Sequence, residues 1–243
     1  MPALSSDERL PLYQRLRDEL AGHISGNRWK AGEAIPTEAV LAADYQLSIG
    51  TVRKAIDMLV SERILERQQG RGTFIRRAQF HDSLFRFFRF QTTEGERRLP
   101  ESQVLAVNVL PAPSDAAKAL QLAEGDPVIH LSRLRLIDAQ PLLAEDIWLP
   151  KTLFEAILDK DLNQEGPLLY PLYEEFCGQV IASADETLTA EPADEHSASL
   201  LGIAMHSPVV LIERLARGYA GQPLEWRRSR GHAQHFRYSV EIR

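Results

Sequence analysis

Ser48-Ile49-Gly50-Thr51-Val52-Arg53-Lys54-Ala55-Ile56 decides how this chain is read. Ser48 can accept from the free N–H groups of the turn that follows it and so cap a helix. Val52, Ile56 and Leu59 recur at helical spacing as a stripe to be buried, leaving Thr51, Arg53 and Lys54 on the other side. Gly50 keeps the first turn open, where backbone N–H groups can approach a phosphate. A helix that buries one face and begins with small and cationic residues fits a DNA groove.

The flanking sequence extends this reading in both directions. Leu12, Leu16, Leu20 and Ile24 recur every fourth residue, widened by Tyr13 and Ala21, and predict a helix ending near Gly26. Gly32 and Pro36 break the chain, after which Thr37 can cap a second helix with Val40, Leu41 and Tyr45 facing inward. Gln46 and Leu47 form a tight connection to the Ser48 helix, the spacing of a helix-turn-helix. Downstream, Glu66-Arg67-Gln68 and Thr73-Phe74-Ile75 flank Gly70-Arg71-Gly72, a hairpin with a cationic tip. Such a wing can reach the minor groove or the phosphates.

Charge is distributed accordingly. The 243 residues carry a net charge of −6 from 28 Lys and Arg against 34 Asp and Glu. Residues 1–77 hold 12 of the basic and 10 of the acidic groups; residues 78–243 hold the remaining 16 and 24. The first part is therefore positive within an acidic chain, as a phosphate-binding surface requires. The 44% hydrophobic content suits soluble globular domains, and no apolar run reaches the roughly 18 residues of a membrane span. An N-terminus without an apolar core and a single cysteine, Cys177, point to a reducing, cytoplasmic setting.

Pro11-Leu12-Tyr13, Pro36-Thr37-Glu38, Leu41-Ala42, Thr51-Val52-Arg53-Lys54-Ala55 and Gly70-Arg71-Gly72-Thr73-Phe74 together resemble the winged-helix domain of the GntR family of bacterial transcription regulators. The resemblance implies a winged helix-turn-helix over residues 8–77, with Ser48, Thr51, Arg53, Lys54, Gly70 and Arg71 as DNA contacts. It also marks two departures: Ala39 and Ile49 stand where many members carry basic residues.

Residues 78–100 are expected to link two parts, with the Phe85–Phe90 alternation of Phe and Arg reading as a strand. Beyond them the chain repeats itself. Pro111, Ala117, Leu120, Ala123, Pro127-Val128 and Arg133-Leu134 recur 81 residues later as Pro192, Ala198, Leu201, Ala204, Pro208-Val209 and Arg214-Leu215. One residue further out of step, Gln140-Pro141-Leu142 recurs as Gln222-Pro223-Leu224. Each copy reads as strand, helix and long hairpin, so residues 101–243 should form an α+β domain on one antiparallel sheet with helices on one side. Thr152–Leu158 and Leu168–Phe176, between the copies, are helix-like.

Arg133-x-Arg135, Gln140-Pro141, Glu145, Pro150, Tyr170, Glu186 and Glu225 resemble the UTRA ligand-binding domain of the HutC branch, a fold similar to chorismate lyase. Arg133 and Arg135, two apart on a strand, point to one face and suit a carboxylate or phosphate. The resemblance implies Arg133, Arg135, Glu145, Tyr170 and Glu225 as effector contacts. Surface ion pairs of the two arginines with Glu145 or Asp146 are the competing reading. Leu168 and Gly231 stand where other members carry a serine and an aromatic, so a smaller or more apolar acid suits the site at least as well as a phosphosugar.

The expected function is a DNA-binding transcription regulator, a repressor in most of this family. It would act as a homodimer on a pseudopalindromic double-stranded operator, controlled by a small anionic effector. The alternative is a chorismate-lyase-like enzyme with a DNA-binding tether. No catalytic, cofactor or metal set is expected: His232 and His235, three apart on a strand, should face opposite ways. Cys177 should be a structural thiol and Trp226 a core residue.

Overall fold

A computed structural model describes residues 9–26, 28–76 and 100–236. The chain divides into two compact units, Met1–Ala78 together with Gly218–Gln222, and Gln79–Arg217 together with Pro223–Arg243. The expected linker strand around Phe85–Phe90 lies outside the described residues.

In the first unit, helix α1 (Leu12–Ser25) buries Leu16, Leu20, Ala21 and Ile24, while Leu12, the first residue of the expected stripe, is exposed. Helix α2 (Glu38–Tyr45) starts at Thr37, whose side chain accepts from the Val40 N–H at 3.4 Å. Helix α3 (Ile49–Ser61) starts at Ser48, which accepts from the Thr51 N–H at 3.1 Å. Val52, Ala55, Ile56 and Leu59 of α3 are buried. Gln46 ends α2 in the left-handed region at φ 54°, a sharp reversal that makes the two-residue connection possible. Strands β1 (Leu65–Gln68) and β2 (Gly72–Ile75) pair antiparallel around the Gly70-Arg71 tip. A second expectation fails at Val40, which is 48% exposed; Leu41 is the one buried residue of α2.

In the second unit, six strands form one antiparallel sheet in the order β3-β4-β5-β8-β7-β6. The first copy supplies β3 (Glu101–Pro111), α4 (Ser114–Leu120), β4 (Pro127–Ile137) and β5 (Gln140–Pro150). The second supplies β6 (Ser183–Pro192), α7 (Glu195–Leu201), β7 (Pro208–Arg217) and β8 (Pro223–His232). Between them lie α5 (Lys151–Phe154), a 3-10 turn (Glu155–Asp159) and α6 (Leu169–Cys177). The copies meet where β5 pairs with β8, from Ala144 opposite Arg230 to Trp148 opposite Trp226.

Alternation along the strands sorts side chains to two faces. Val128 packs with α4 and Trp226, and Leu134, Ala144 and Val209 with α7, so the duplicated helices share one face. Ile129, Leu131, Ile147 and Leu149 point the other way, against Phe154, Ile157, Leu169, Leu172 and Tyr173. The expectation of helices on one side therefore holds for the duplicated pair alone; the inserted segment covers the opposite face. Trp226 is core, its ring 4.7 Å from that of Trp148.

The two hairpins differ. β4 and β5 turn on Asp138-Ala139, both left-handed at φ 49° and 62°, whereas β7 and β8 are joined by the longer loop 218–222. A two-residue turn with positive φ at both positions favours Asn-Gly or Asp-Gly, so Ala139 carries a steric cost that glycine lacks. Ala139→Gly should stabilise the protein by about 0.5–1 kcal/mol, the steric relief outweighing the entropy of the added glycine. Urea unfolding monitored on both proteins measures this; an unchanged or lower midpoint would exclude strain at the turn.

Candidate functional site

The residues expected to meet DNA lie at the start of α3 and on the wing. The Ser48 hydroxyl is 2.9 Å from that of Thr51, so the cap and its neighbour fix each other at the start of α3. Arg53 is exposed and directs Nε and Nη2 to one oxygen of Glu38 at 3.0 and 2.9 Å. The other Glu38 oxygen receives Arg67 Nη2 at 3.5 Å, and Arg67 also pairs with Asp57 at 2.6 Å. Glu38 thus holds two guanidinium groups beside the helix. Lys54 lies with Nζ 3.7 Å from the centroid of the Tyr13 ring, a cation–π contact that ties it to α1. Gly70, at φ 71°, forms the wing tip with Arg71, which is exposed and stacks over Phe74 at 5.5 Å. Ala39 is exposed, and Ile49 is 50% exposed at the head of α3.

Arg133, Arg135, Glu145, Tyr170 and Glu225 come together on the sheet face covered by α6. Strand register explains the grouping. Arg133 of β4 lies opposite Glu145 of β5, which lies opposite Ser229 of β8. A second row runs from Glu186 of β6 through Arg214 of β7 to Arg227 of β8. Arg133 donates from Nε to Glu145 Oε2 at 2.7 Å, with Nη2 at 2.6 Å from the same oxygen. Ser229 donates to Glu145 Oε1 at 3.0 Å, and Arg227 Nη1 lies 3.6 Å from it. Arg227 Nη2 donates to Glu225 Oε2 at 2.7 Å. Tyr173 and Tyr170 of α6 also donate to Glu225, at 2.8 and 3.0 Å. Arg214 donates to Glu186 at 2.7 Å through Nε and to the Tyr170 hydroxyl at 3.3 Å.

These are not surface pairs. Arg133, Arg135, Glu145, Glu225 and Arg227 are all buried, and Asp146 points to the other face, where it meets His130 and Arg230. Burial alone would raise the Glu145 carboxyl, but Arg133, Arg227 and Arg135 outweigh it and hold the group at about 2. Burial likewise opposes the charge on Arg227, yet Glu225 and Glu145 raise its pKa well above the ordinary value. Burial, then Glu225, raises Tyr173, which stays a neutral donor.

Arg135 is the exception. Its Nη1 donates to the carbonyl of Pro167, and its Nε and Nη2 have no partner among the described residues. Arg133 Nη1 and Arg227 Nε are likewise unpaired. Burial and the neighbouring Arg133 charge lower the Arg135 pKa to about 10, still cationic at neutral pH. A buried guanidinium without a carboxylate is costly in a folded protein. Such a group, with its adjacent Nε and Nη2 donors unpaired, has the donor set that an anion with two oxygens would match.

Arg214, Arg227, Tyr173 and Ser229 belong to this cluster without having been singled out as contacts. Two signals were present. Arg214 is the repeat equivalent of Arg133, and Glu225, Arg227 and Ser229 alternate along one strand. His232 and His235 fall together, rings 5.7 Å apart, because β8 ends at His232 and a 3-10 turn, Ala233–His235, follows. Among the described residues no three His, Cys, Asp or Glu side chains group as metal ligands. Cys177 is free and half-buried, and burial raises its pKa.

Residues 95–237 match the UTRA domain model, well over half of the chain, and residues 12–75 match the model for bacterial regulatory proteins of the gntR family. The chain belongs to the UTRA family. Ahead of its UTRA domain it carries a GntR-type DNA-binding domain, as the winged-helix architecture requires. The mannosyl-D-glycerate transport/metabolism system repressor of Escherichia coli is 28% identical over 95% of both chains. The transcriptional repressor NagR of Bacillus subtilis is 24% identical over 87% of this chain and 86% of its own. The ligand-binding domain of a GntR-family regulator from Bordetella bronchiseptica superposes with a TM-score of 0.56 at 30% identity, covering 62% of this chain and 94% of that one. This UTRA protein is thus an effector-controlled, DNA-binding transcription regulator, and the enzyme alternative finds no support among these relatives.

Two predictions follow from the charges. Glu38→Gln should release Arg53 and Arg67 and raise affinity for a non-operator duplex, by roughly 3–10-fold at low salt, with a steeper salt dependence. Fluorescence anisotropy across a salt series measures it, and an unchanged slope would show that Glu38 does not restrain these arginines. In the second domain, Arg133→Ala strands the Glu145 carboxylate and should cost about 3–5 kcal/mol. Arg135→Met strands no carboxylate and should leave stability unchanged or raised. Chemical unfolding compares the two; equal losses would contradict this division of roles.

Proposed function

We propose that this chain is a repressor that binds a pseudopalindromic operator as a homodimer in the cytoplasm. A small anionic metabolite, held by Arg133, Arg135, Glu145, Tyr170 and Glu225, would control operator affinity. Ser48, Thr51, Arg53, Lys54, Gly70 and Arg71 would contact the DNA. The working division is a DNA-binding domain over residues 8–77, a linker over 78–100 and an effector domain over 101–243.

The observation that carries the effector assignment is Arg135, a buried cation with unpaired donors in a UTRA domain. The names of the curated relatives, two of them repressors of sugar-related systems in Escherichia coli, support repression. Twofold symmetry of a dimer would require two related half-sites. No helix of the described residues is long and apolar enough to cross a membrane, which agrees with a protein that works on DNA.

Control requires that the effector bind one state of the protein more tightly than the other, typically by about 5–150-fold. The experiment uses an operator selected from a random duplex pool and an effector found by thermal shift, since a ligand of the native state raises its stability. Arg135→Met should keep operator affinity within about twofold while losing the effector response. A variant that still responds as the wild type does would remove Arg135 from the effector site.

A further inference from the structure

We propose that the ligand of the second domain is a monocarboxylate, seated on the Nε–Nη2 edge of Arg135, and that a doubly charged phosphate monoester is disfavoured there. This rests on the effector site proposed above and specifies what that site accepts.

The argument is a balance of charge and of hydrogen bonds. Four guanidinium groups, from Arg133, Arg135, Arg214 and Arg227, share the covered face of the sheet with three carboxylates, from Glu145, Glu186 and Glu225. Arg133 is matched by Glu145, Arg214 by Glu186, and Arg227 by Glu225. The tyrosines of the cluster, Tyr170 and Tyr173, have pKa values raised by burial and add no charge. One positive charge is therefore uncompensated among the described residues, and it belongs to Arg135. A singly charged ligand closes the balance. A dianion would leave its second charge buried without a counter-ion, which is costly in a desolvated site.

The open donors tell the same story. Arg135 Nη1 is engaged by the Pro167 carbonyl, leaving Nε and Nη2, the two adjacent N–H directions that match the two oxygens of a carboxylate. Arg133 Nη1, two residues along the same strand face, is a further unpaired donor among the described residues. Leu168, the residue before α6, provides no side-chain cap and no hydroxyl for a third phosphate oxygen.

The carboxylates are already occupied. Glu145 accepts from Arg133 and Ser229, and Glu225 from Tyr170, Tyr173 and Arg227. These internal donors leave each glutamate little capacity for further hydroxyls of a ligand. Recognition thus centres on the acid group.

The test uses the full-length chain and probe anions at constant ionic strength, at a pH where a phosphate monoester is doubly ionised. Acetate, lactate and benzoate are compared with methyl phosphate and succinate by thermal shift and calorimetry, on wild type and Arg135→Met. At least one monocarboxylate should stabilise the wild type and not Arg135→Met. It should bind at least about tenfold tighter than methyl phosphate and succinate, a difference of about 1.4 kcal/mol. Glu145→Gln adds a positive charge and should narrow that preference. Should that variant fail to fold, Glu186→Gln, at a less buried carboxylate, makes the same change in charge. Methyl phosphate binding the wild type as well as the carboxylates do, through Arg135, overturns the monocarboxylate assignment and leaves the effector site standing. Anions that act equally on wild type and Arg135→Met, or on neither, overturn both.

Discussion

The pairing of β5 with β8 is the contact on which the second domain depends. Without it, the two copies of the strand-helix-hairpin unit would be separate three-stranded pieces, each with an exposed edge. With it, Glu145 from one copy comes against Ser229 from the other, and Arg227 lies between Glu145 and Glu225. At the same seam Ile147 lies opposite Arg227, and Trp148 lies opposite Trp226 with the rings 4.7 Å apart. A slip of one residue would turn every charged group to the wrong face. The charged cluster and the sheet topology therefore specify each other.

Burying six ionised groups, Arg133, Arg135, Glu145, Arg214, Glu225 and Arg227, is an expensive arrangement, and an apolar face would be at least as stable. Most of the cost is offset by pairing: Glu145 and Glu225 each accept from several donors. Arg135 is not offset in this way. An unmatched buried cation lowers the stability of the fold that carries it. The first domain shows a milder version of the same economy. Arg53 and Arg67 are held by Glu38 at the surface, where solvent screening makes such pairs weak and easily exchanged for phosphate.

The first domain was almost entirely legible in the sequence because its determinants are local. Thr37 and Ser48 cap helices within three residues of themselves, and the stripe of Val52, Ile56 and Leu59 lies within one helix. Val40 was misplaced because periodicity gives a helical face but not how much neighbouring surface covers it. In the second domain, the repeat disclosed the sheet, and the two-residue spacing of Arg133 and Arg135 disclosed their common face. Their partners were harder to find. Glu145 and Ser229 are 84 positions apart, and Tyr173 and Glu225 are 52 apart. No local pattern reports contacts made across a seam between copies. The histidines illustrate the same limit at short range. His232 and His235 share a side because the strand ends between them.

The duplication is unequal in one respect that bears on stoichiometry. Arg133 of the first copy has its counterpart in Arg214 of the second, but the position of Arg135 is taken by Ala216. Ala216 is buried and packs in the apolar cluster under α6. A perfectly symmetric sheet would offer twin sites related by the pseudo-twofold axis, and the response of a single chain could then be graded by half-occupancy. Here only one half keeps the surplus cation. One equivalent of anion per chain should saturate the domain, and any steepness in a dose–response curve would have to arise between chains.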